Sequence, residues 1–182
     1  MKELALHILD IAQNSIRANA TLVEIEIEDN LNDNRYQISI IDDGTGMDED
    51  TIQKAIDPFY TSRTTRKVGL GLSMFKQNAE MCDGTFDVKS KLGEGSKVTA
   101  TFIHNHLDRP VLGDIAGVVL MLVYANPELD FIYRHSTNNG EYIFNTWEVK
   151  EQLGEVPINT PEVKRYLEEM IRENLVEIGS NN

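Results

Sequence analysis

The chain has 182 residues, 41% of them hydrophobic and 26% charged, with 30 acidic against 17 basic side chains and a formal net charge of −13. That length and balance describe one domain, or one domain with a small appendage, carrying enough apolar material for a core. The acidic excess excludes an extended nucleic-acid surface, which needs clustered Lys and Arg, and a single cysteine, Cys82, excludes an internal disulfide or a multi-cysteine metal site.

No signal-peptide pattern opens the chain, and the longest apolar run, residues 115–125, is too short to span a bilayer. A full-length cytoplasmic chain without a membrane span is expected. Residues 1–18 predict a helix with an apolar belt through Leu4, Ile8, Ile11 and Ala12, and Asn19 suits a left-handed cap. At about 100° per residue, Asp10, Asn14 and Arg17 fall within about 60° of one another and form one polar stripe beside His7. Such a stripe is either a solvated helix face or one wall of a pocket.

Residues 23–28 alternate Val-Glu-Ile-Glu-Ile-Glu, the pattern of a half-buried strand with an acidic outer face. A turn at 30–35 leads to a second strand, 36–41, which runs into Asp42-Asp43-Gly44-Thr45-Gly46-Met47. An acid at a strand end followed by Gly-x-Gly faces a ligand, because glycine permits close approach. Asp48 then caps a helix of about eight residues, ending at Ile56. A helix over 70–82 is expected to close at Gly84, and strands 85–90 and 97–103 join through the turn Leu92-Gly93-Glu94-Gly95. Two hairpins with helices on one face make a two-layer α+β domain.

Between the second and third helices lies Asp57-Pro58-Phe59-Tyr60-Thr61-Ser62-Arg63-Thr64-Thr65-Arg66-Lys67-Val68-Gly69-Leu70-Gly71-Leu72-Ser73. Arg63, Arg66 and Lys67 gather within five positions, just ahead of glycines and a helix start. In so acidic a chain this arrangement suits an anion, and a phosphate chain best, with helix N–H groups as donors.

Four ordered pieces resemble the superfamily of gyrase, heat-shock chaperone, histidine kinase and mismatch-repair ATPases, known by its Bergerat nucleotide-binding fold. Leu9-Asp10-Ile11-Ala12-Gln13-Asn14-Ser15 resembles the N box, and Asp42-Asp43-Gly44-Thr45-Gly46 the first glycine box. Asp57–Arg63 is similar to the F box of histidine kinases, Gly69-Leu70-Gly71-Leu72-Ser73 to their second glycine box, and Gly93-Glu94-Gly95-Ser96 to the turn that closes their sheet. The resemblance covers residues 1–104 and implies a two-layer sandwich with a mixed sheet and helices on one face.

The resemblance also implies site roles. Asn14 would hold Mg²⁺ through its amide oxygen, the hard ligand a hard cation prefers. Asp42 would accept a hydrogen bond from the adenine amino group, with Gly44 and Gly46 letting the backbone lie against the base and Met47 beside them. Arg17, Arg63, Lys67 and the backbone of Gly69, Leu70, Gly71 and Leu72 would neutralise the phosphates, Thr61 and Ser73 would offer hydroxyls, and Phe59 would complete the ATP site. Two departures stand out. Lys67 occupies a position where the second glycine box usually opens with glycine, and the segment between Phe59 and Gly69 is short. Asp10 replaces the glutamate that activates water in the hydrolysing branches, which suits an indirect metal role more than a proficient base.

Histidine kinases carry a phospho-acceptor segment before the N box, and here the N box begins at the first residues. His7 is a poor acceptor in its place, and His104, His106 and His135 lack partners at metal spacing. Residues 105–182 form an unassigned α+β appendage: an apolar helix over 114–125, strands 130–135 and 141–145 about an Asn-Gly turn, a short helix over 147–153, and a helix over 160–175 with Pro161 at its first position. It suits partner binding, self-association as a homodimer, or buttressing of the ATP domain. Three functions are open: a kinase-type protein acting on a separate partner in signalling, a nucleotide-dependent binding module of the anti-sigma type, and a mismatch-repair-like ATPase whose lid drives dimerisation.

Overall fold

The computed structural model describes residues 3–59 and 70–180; the expected site residues Thr61, Arg63, Lys67 and Gly69 lie outside them. The elements run α1 (Leu4–Arg17), β1 (Leu22–Asn30), β2 (Arg35–Asp42), α2 (Glu49–Ile56), α3 (Gly71–Met81), β3 (Thr85–Lys91), β4 (Gly95–Ile103), α4 (Ile115–Ala125), β5 (Asp130–Thr137), β6 (Gly140–Asn145), α5 (Thr146–Leu153) and α6 (Pro161–Glu177). The strands form one mixed sheet in the order β3-β4-β2-β1-β5-β6, with β1 and β5 parallel and every other pair antiparallel.

Alternation decides which side of the sheet is covered. Val23, Ile25 and Ile27 of β1 stand beside Ile38 and Ile40 of β2, and with Val98, Ala100, Phe102, Phe131 and Tyr133 they are buried on one face. The helices α1, α3, α4 and α6 pack over that face. Glu24, Glu26 and Glu28 occupy the other face, as their spacing requires.

Helix α1 buries Leu4, Ala5, Ile8, Ile11 and Ala12 and ends at Asn19, which takes a left-handed φ of 58°. Helix α3 ends differently from expectation. The left-handed residue is Asp83, at φ 52°, while Gly84 is needed because a Cβ there would stand 1.8 Å from the Thr101 carbonyl oxygen.

The sheet continues past residue 104. Eight residues of β1 pair with β5 from Leu22↔Asp130 to Asp29↔Thr137, and α4 lies against both α1 and α6. That enclosure explains why α4 is apolar around most of its circumference, with Ile115, Ala116, Val118, Val119, Leu120, Leu122 and Val123 all buried. Ahead of α4 the chain returns to the start of α1, where the Leu4 and Ala5 amides donate to Val111 and Leu112 carbonyls at 2.9 and 2.8 Å.

Candidate functional site

The C-terminal half of α1, the end of β2 and the loop after it enclose a cleft of about 210 Å³, lined among others by Asn14, Arg17, Asp42, Gly46, Met47 and Leu72. Six residues predicted from separate stretches thus share one wall. Asp42 is the last residue of β2 and stands across from Ser96 of β4. Its carboxylate is fixed from two sides: the Ser15 hydroxyl donates to Oδ2 at 2.6 Å, and the Gly44 amide donates to Oδ1 at 2.9 Å. An ionised carboxylate has about four lone-pair positions, so this pinned group keeps acceptor capacity for a ligand N–H.

The adjacent Asp43 does a different job. It accepts from the Thr21 amide (2.7 Å), the Thr21 hydroxyl (2.5 Å) and the Leu22 amide (2.9 Å), tying the loop to the start of β1. Burial would raise its carboxyl, but these donors outweigh burial and hold it below the usual range.

The glycine loop is clamped by the β3–β4 turn. Gly93 donates to the Thr45 carbonyl at 2.8 Å, and Met47 donates to the Ser90 hydroxyl at 2.7 Å. Ser90 in turn donates to the Gly95 carbonyl at 2.8 Å. The glycines therefore have a chain-packing cause. A Cβ on Gly46, whose φ is +67°, would lie 2.0 Å from the Lys91 carbonyl oxygen, and one on Gly44 would lie 2.8 Å from the Ala18 carbonyl oxygen.

Asn14 and Arg17 sit one turn apart, and the Arg17 guanidinium donates to Asn14 Oδ1 at 2.8 Å. The oxygen expected to meet a metal already faces a cation. An amide oxygen is the right kind of donor for a hard ion, and here the Arg17 guanidinium occupies it. Asp10 lies against the start of α3, where a Cβ built on Gly71 would be 3.1 Å from Asp10 Cβ and 3.6 Å from Oδ2. The described residues contain no cluster of three His, Cys, Asp or Glu able to hold a metal by themselves. A divalent ion here would draw the rest of its shell from water and ligand oxygens.

Other expected residues stand apart. The Ser73 hydroxyl donates to the Leu70 carbonyl at 3.0 Å, spending itself within its own helix turn. Leu70 is exposed and Phe59 is 85% exposed, and neither lines the cleft. His7 is buried away from solvent, stacked on Phe75 at 5.4 Å and bonded through Nε2 to Asn78 at 2.7 Å. Burial pushes its imidazole down to about 4. His104, which sequence spacing left alone, pairs with Asp29 at 2.7 Å.

Sequence reasoning missed Ser15, Thr45, Thr51 and Ser96, all of which line the cleft. A signal existed for the first: Ser15 interrupts the buried apolar side of α1 and is itself buried. A buried hydroxyl on an apolar face calls for a partner, and the partner is Asp42.

Comparison with known proteins agrees with this geometry. The family described as histidine kinase-, DNA gyrase B- and HSP90-like ATPase matches residues 2–106. The sensor histidine kinase YvrG of Bacillus subtilis is 30% identical over 93 residues, 49% of this chain and 16% of that protein. The mismatch repair protein MutL of Clostridium acetobutylicum is 42% identical over 57 residues, 31% of this chain and 9% of that protein. The chain thus spans a small part of the length of these relatives. The MutL ATPase domain of Aquifex aeolicus, solved with ADP, superposes with a TM-score of 0.52 at 14% identity, covering 100% of this chain and 99% of that one, which shows a shared fold. With a family match over more than half its length, a mixed sheet covered by helices and a pinned aspartate in the cleft, the chain belongs to the histidine kinase-, DNA gyrase B- and HSP90-like ATPase family.

Proposed function

We propose that the cleft binds ATP with Mg²⁺ and that the protein phosphorylates or regulates a separate partner protein in signalling. The observation that carries the reading is the carboxylate of Asp42, held by Ser15 and Gly44 with lone pairs left over at the cleft wall. An acceptor fixed there takes the exocyclic amino group of adenine and meets the carbonyl of guanine with repulsion, so it selects ATP over GTP.

Asn14 would hold the metal, with Asp10 acting on it through water, and the metal would supply charge neutralisation at the phosphates. Arg17, Arg63 and Lys67 would bind phosphate oxygens, and the N–H groups at the start of α3, where Leu70 provides no side-chain cap, would add donors. Positioning and neutralisation are the main demands of phosphoryl transfer. Likeness to a sensor histidine kinase supports the kinase-type reading. The anti-sigma-type binding module shares the same pocket and differs in the fate of the nucleotide.

A second reading, an ATPase whose closure drives dimerisation, draws on the 42% identity to MutL. Calorimetric titration with ATP and GTP, each with and without Mg²⁺, tests the pocket. The expected result is Mg²⁺-dependent binding of ATP alone. Sedimentation with a non-hydrolysable ATP analogue then separates the two readings: a nucleotide-induced dimer supports the second and opposes the first.

A further inference from the structure

A second cavity among the described residues is larger than the nucleotide cleft and has no part in it. It is a groove of about 830 Å³ between β6, α5 and α6. Four consecutive residues of β6, Tyr142 to Asn145, line it. Consecutive strand residues point to opposite faces, so the groove follows the edge of the strand and not one face of the sheet. Among the described residues that edge carries no further strand: β6 pairs with β5 on one side and is the last strand of the sheet. Its outward N–H and C=O groups form a template for another strand.

The walls of the groove are apolar and its rim is acidic. Val149, Leu153, Val163 and Met170 supply the apolar part, and Tyr166 is 66% exposed beside them. Among the described residues the charged lining is Glu148, Glu151 and Glu162, with no Lys, Arg or His. Of the four cations on the same helices, Arg165 does not line the groove and the other three are engaged elsewhere. Lys150 donates to the Leu129 carbonyl at 2.6 Å and Asp130 at 2.9 Å, Lys164 sits 4.9 Å over the Tyr124 ring, and Arg172 binds Asp114 and Glu168. A second copy of a chain with net charge −13 would bring like charges into this rim.

We propose that this groove is a docking site for an extended, basic peptide segment of a partner protein, which pairs its backbone with the edge of β6. Alternate apolar side chains of the peptide enter the groove, and Lys or Arg side chains meet Glu148, Glu151 and Glu162. The surface is separate from the nucleotide cleft, so it stands whether or not that cleft binds ATP.

The test selects binders from a display library of random linear peptides on the full chain and titrates one enriched peptide, using Trp147, the only tryptophan, as a fluorescence reporter beside the groove. Enriched peptides are expected to alternate apolar residues and to carry Lys or Arg. The double variant Glu148→Lys, Glu162→Lys should weaken binding about tenfold or more with an unchanged thermal melt and an unchanged ATP titration. N-methylation of alternate peptide amides should abolish binding in one register and spare it in the other, because a paired strand donates through every second amide. The proposal is overturned if nothing is enriched, if the enriched peptides are acidic or neutral, if the double variant binds as the native chain does, or if both methylation registers behave alike. Sedimentation showing two copies joined through Tyr166, dispersed by Tyr166→Ser, also overturns it.

Discussion

The Ser15 hydroxyl donates to Asp42 Oδ2 at 2.6 Å, joining the last turn of α1 to the end of β2. Twenty-seven positions separate the two in sequence. The bond restrains the Asp42 carboxylate, and under the proposed reading it would set the angle at which a purine amino group is met.

Three substitutions divide the roles at this wall. Asp42→Asn places an amide donor where the ligand N–H must be accepted, and calorimetry should show ATP affinity abolished with or without Mg²⁺. Asn14→Ala should chiefly remove the Mg²⁺ dependence. Ser15→Ala leaves Asp42 in place but unpinned, and should weaken ATP about tenfold or more, in keeping with the roughly 1.5–3 kcal/mol of a hydrogen bond to a charged group. Equal, metal-independent losses in all three would contradict the assignment.

The glycines of the loop and its clamp make a matched pair of tests. Gly46→Ala drives a methyl to within 2.0 Å of the Lys91 carbonyl at a φ of +67°. Gly93→Ala has a similar φ of +80° but meets nothing within 4 Å. Gly93→Ala should cost about 1–2 kcal/mol of left-handed strain in urea unfolding. Gly46→Ala should cost on the order of 3 kcal/mol or more, since backbone must shift as well. Equal losses would mean that the clamp opens freely.

Acid should destabilise the protein before its carboxylates titrate. His135 is fully buried, with Nδ1 bonded to the Tyr133 hydroxyl at 2.8 Å and Nε2 without a partner among the described residues. Burial lowers it to about 4, against which Asp29 acts weakly in the other direction, and His7 is lowered by burial to about the same value. Unfolded histidine binds a proton near 6.5, so between 6.5 and 4 the unfolded chain holds protons the native state refuses. Stability from these groups is complete above 6.5 and falls as the pH drops through that window. Urea midpoints should decline from pH 6.5 to 5.5, with His135 contributing about 1 kcal/mol. His135→Asn should make the decline shallower, and a flat profile in the native chain would contradict the burial of both rings in neutral form.

Much of this was written locally in the chain. The alternation of 23–28, the Asn19 cap and the polar stripe of Asp10, Asn14 and Arg17 each follow from one element's own period, and the structure reproduces them. What was not legible is long-range. The parallel pairing of β1 with β5 has no turn between its strands to announce it, because β2, α2, α3, β3, β4 and α4 all lie between them in the chain. The bond from Ser15 to Asp42, the pairing of Asp29 with His104 and the approach of Gly84 to Thr101 all depend on contacts between distant segments. Glycine spacing pointed to the loop beside the cleft on the expectation of a close ligand, whereas at 44 and 46 the close neighbour is the protein's own backbone.

Substitution of Asp10 distinguishes the transfer reading from the hydrolysis reading. Its side chain packs beside Gly71 at the start of α3, one helical turn before Asn14. A residue that orders the metal's water shell affects how much Mg²⁺ is needed, whereas a base that activates water affects turnover of the bound complex. Asp10→Asn keeps the size and loses the charge. Under the kinase-type reading, it should raise the Mg²⁺ concentration needed for half-maximal ATP binding several-fold, and leave affinity at saturating Mg²⁺ and the slow release of labelled phosphate unchanged. Loss of phosphate release with binding and Mg²⁺ dependence intact would make Asp10 the base of a hydrolytic cycle and move the chain to the ATPase reading.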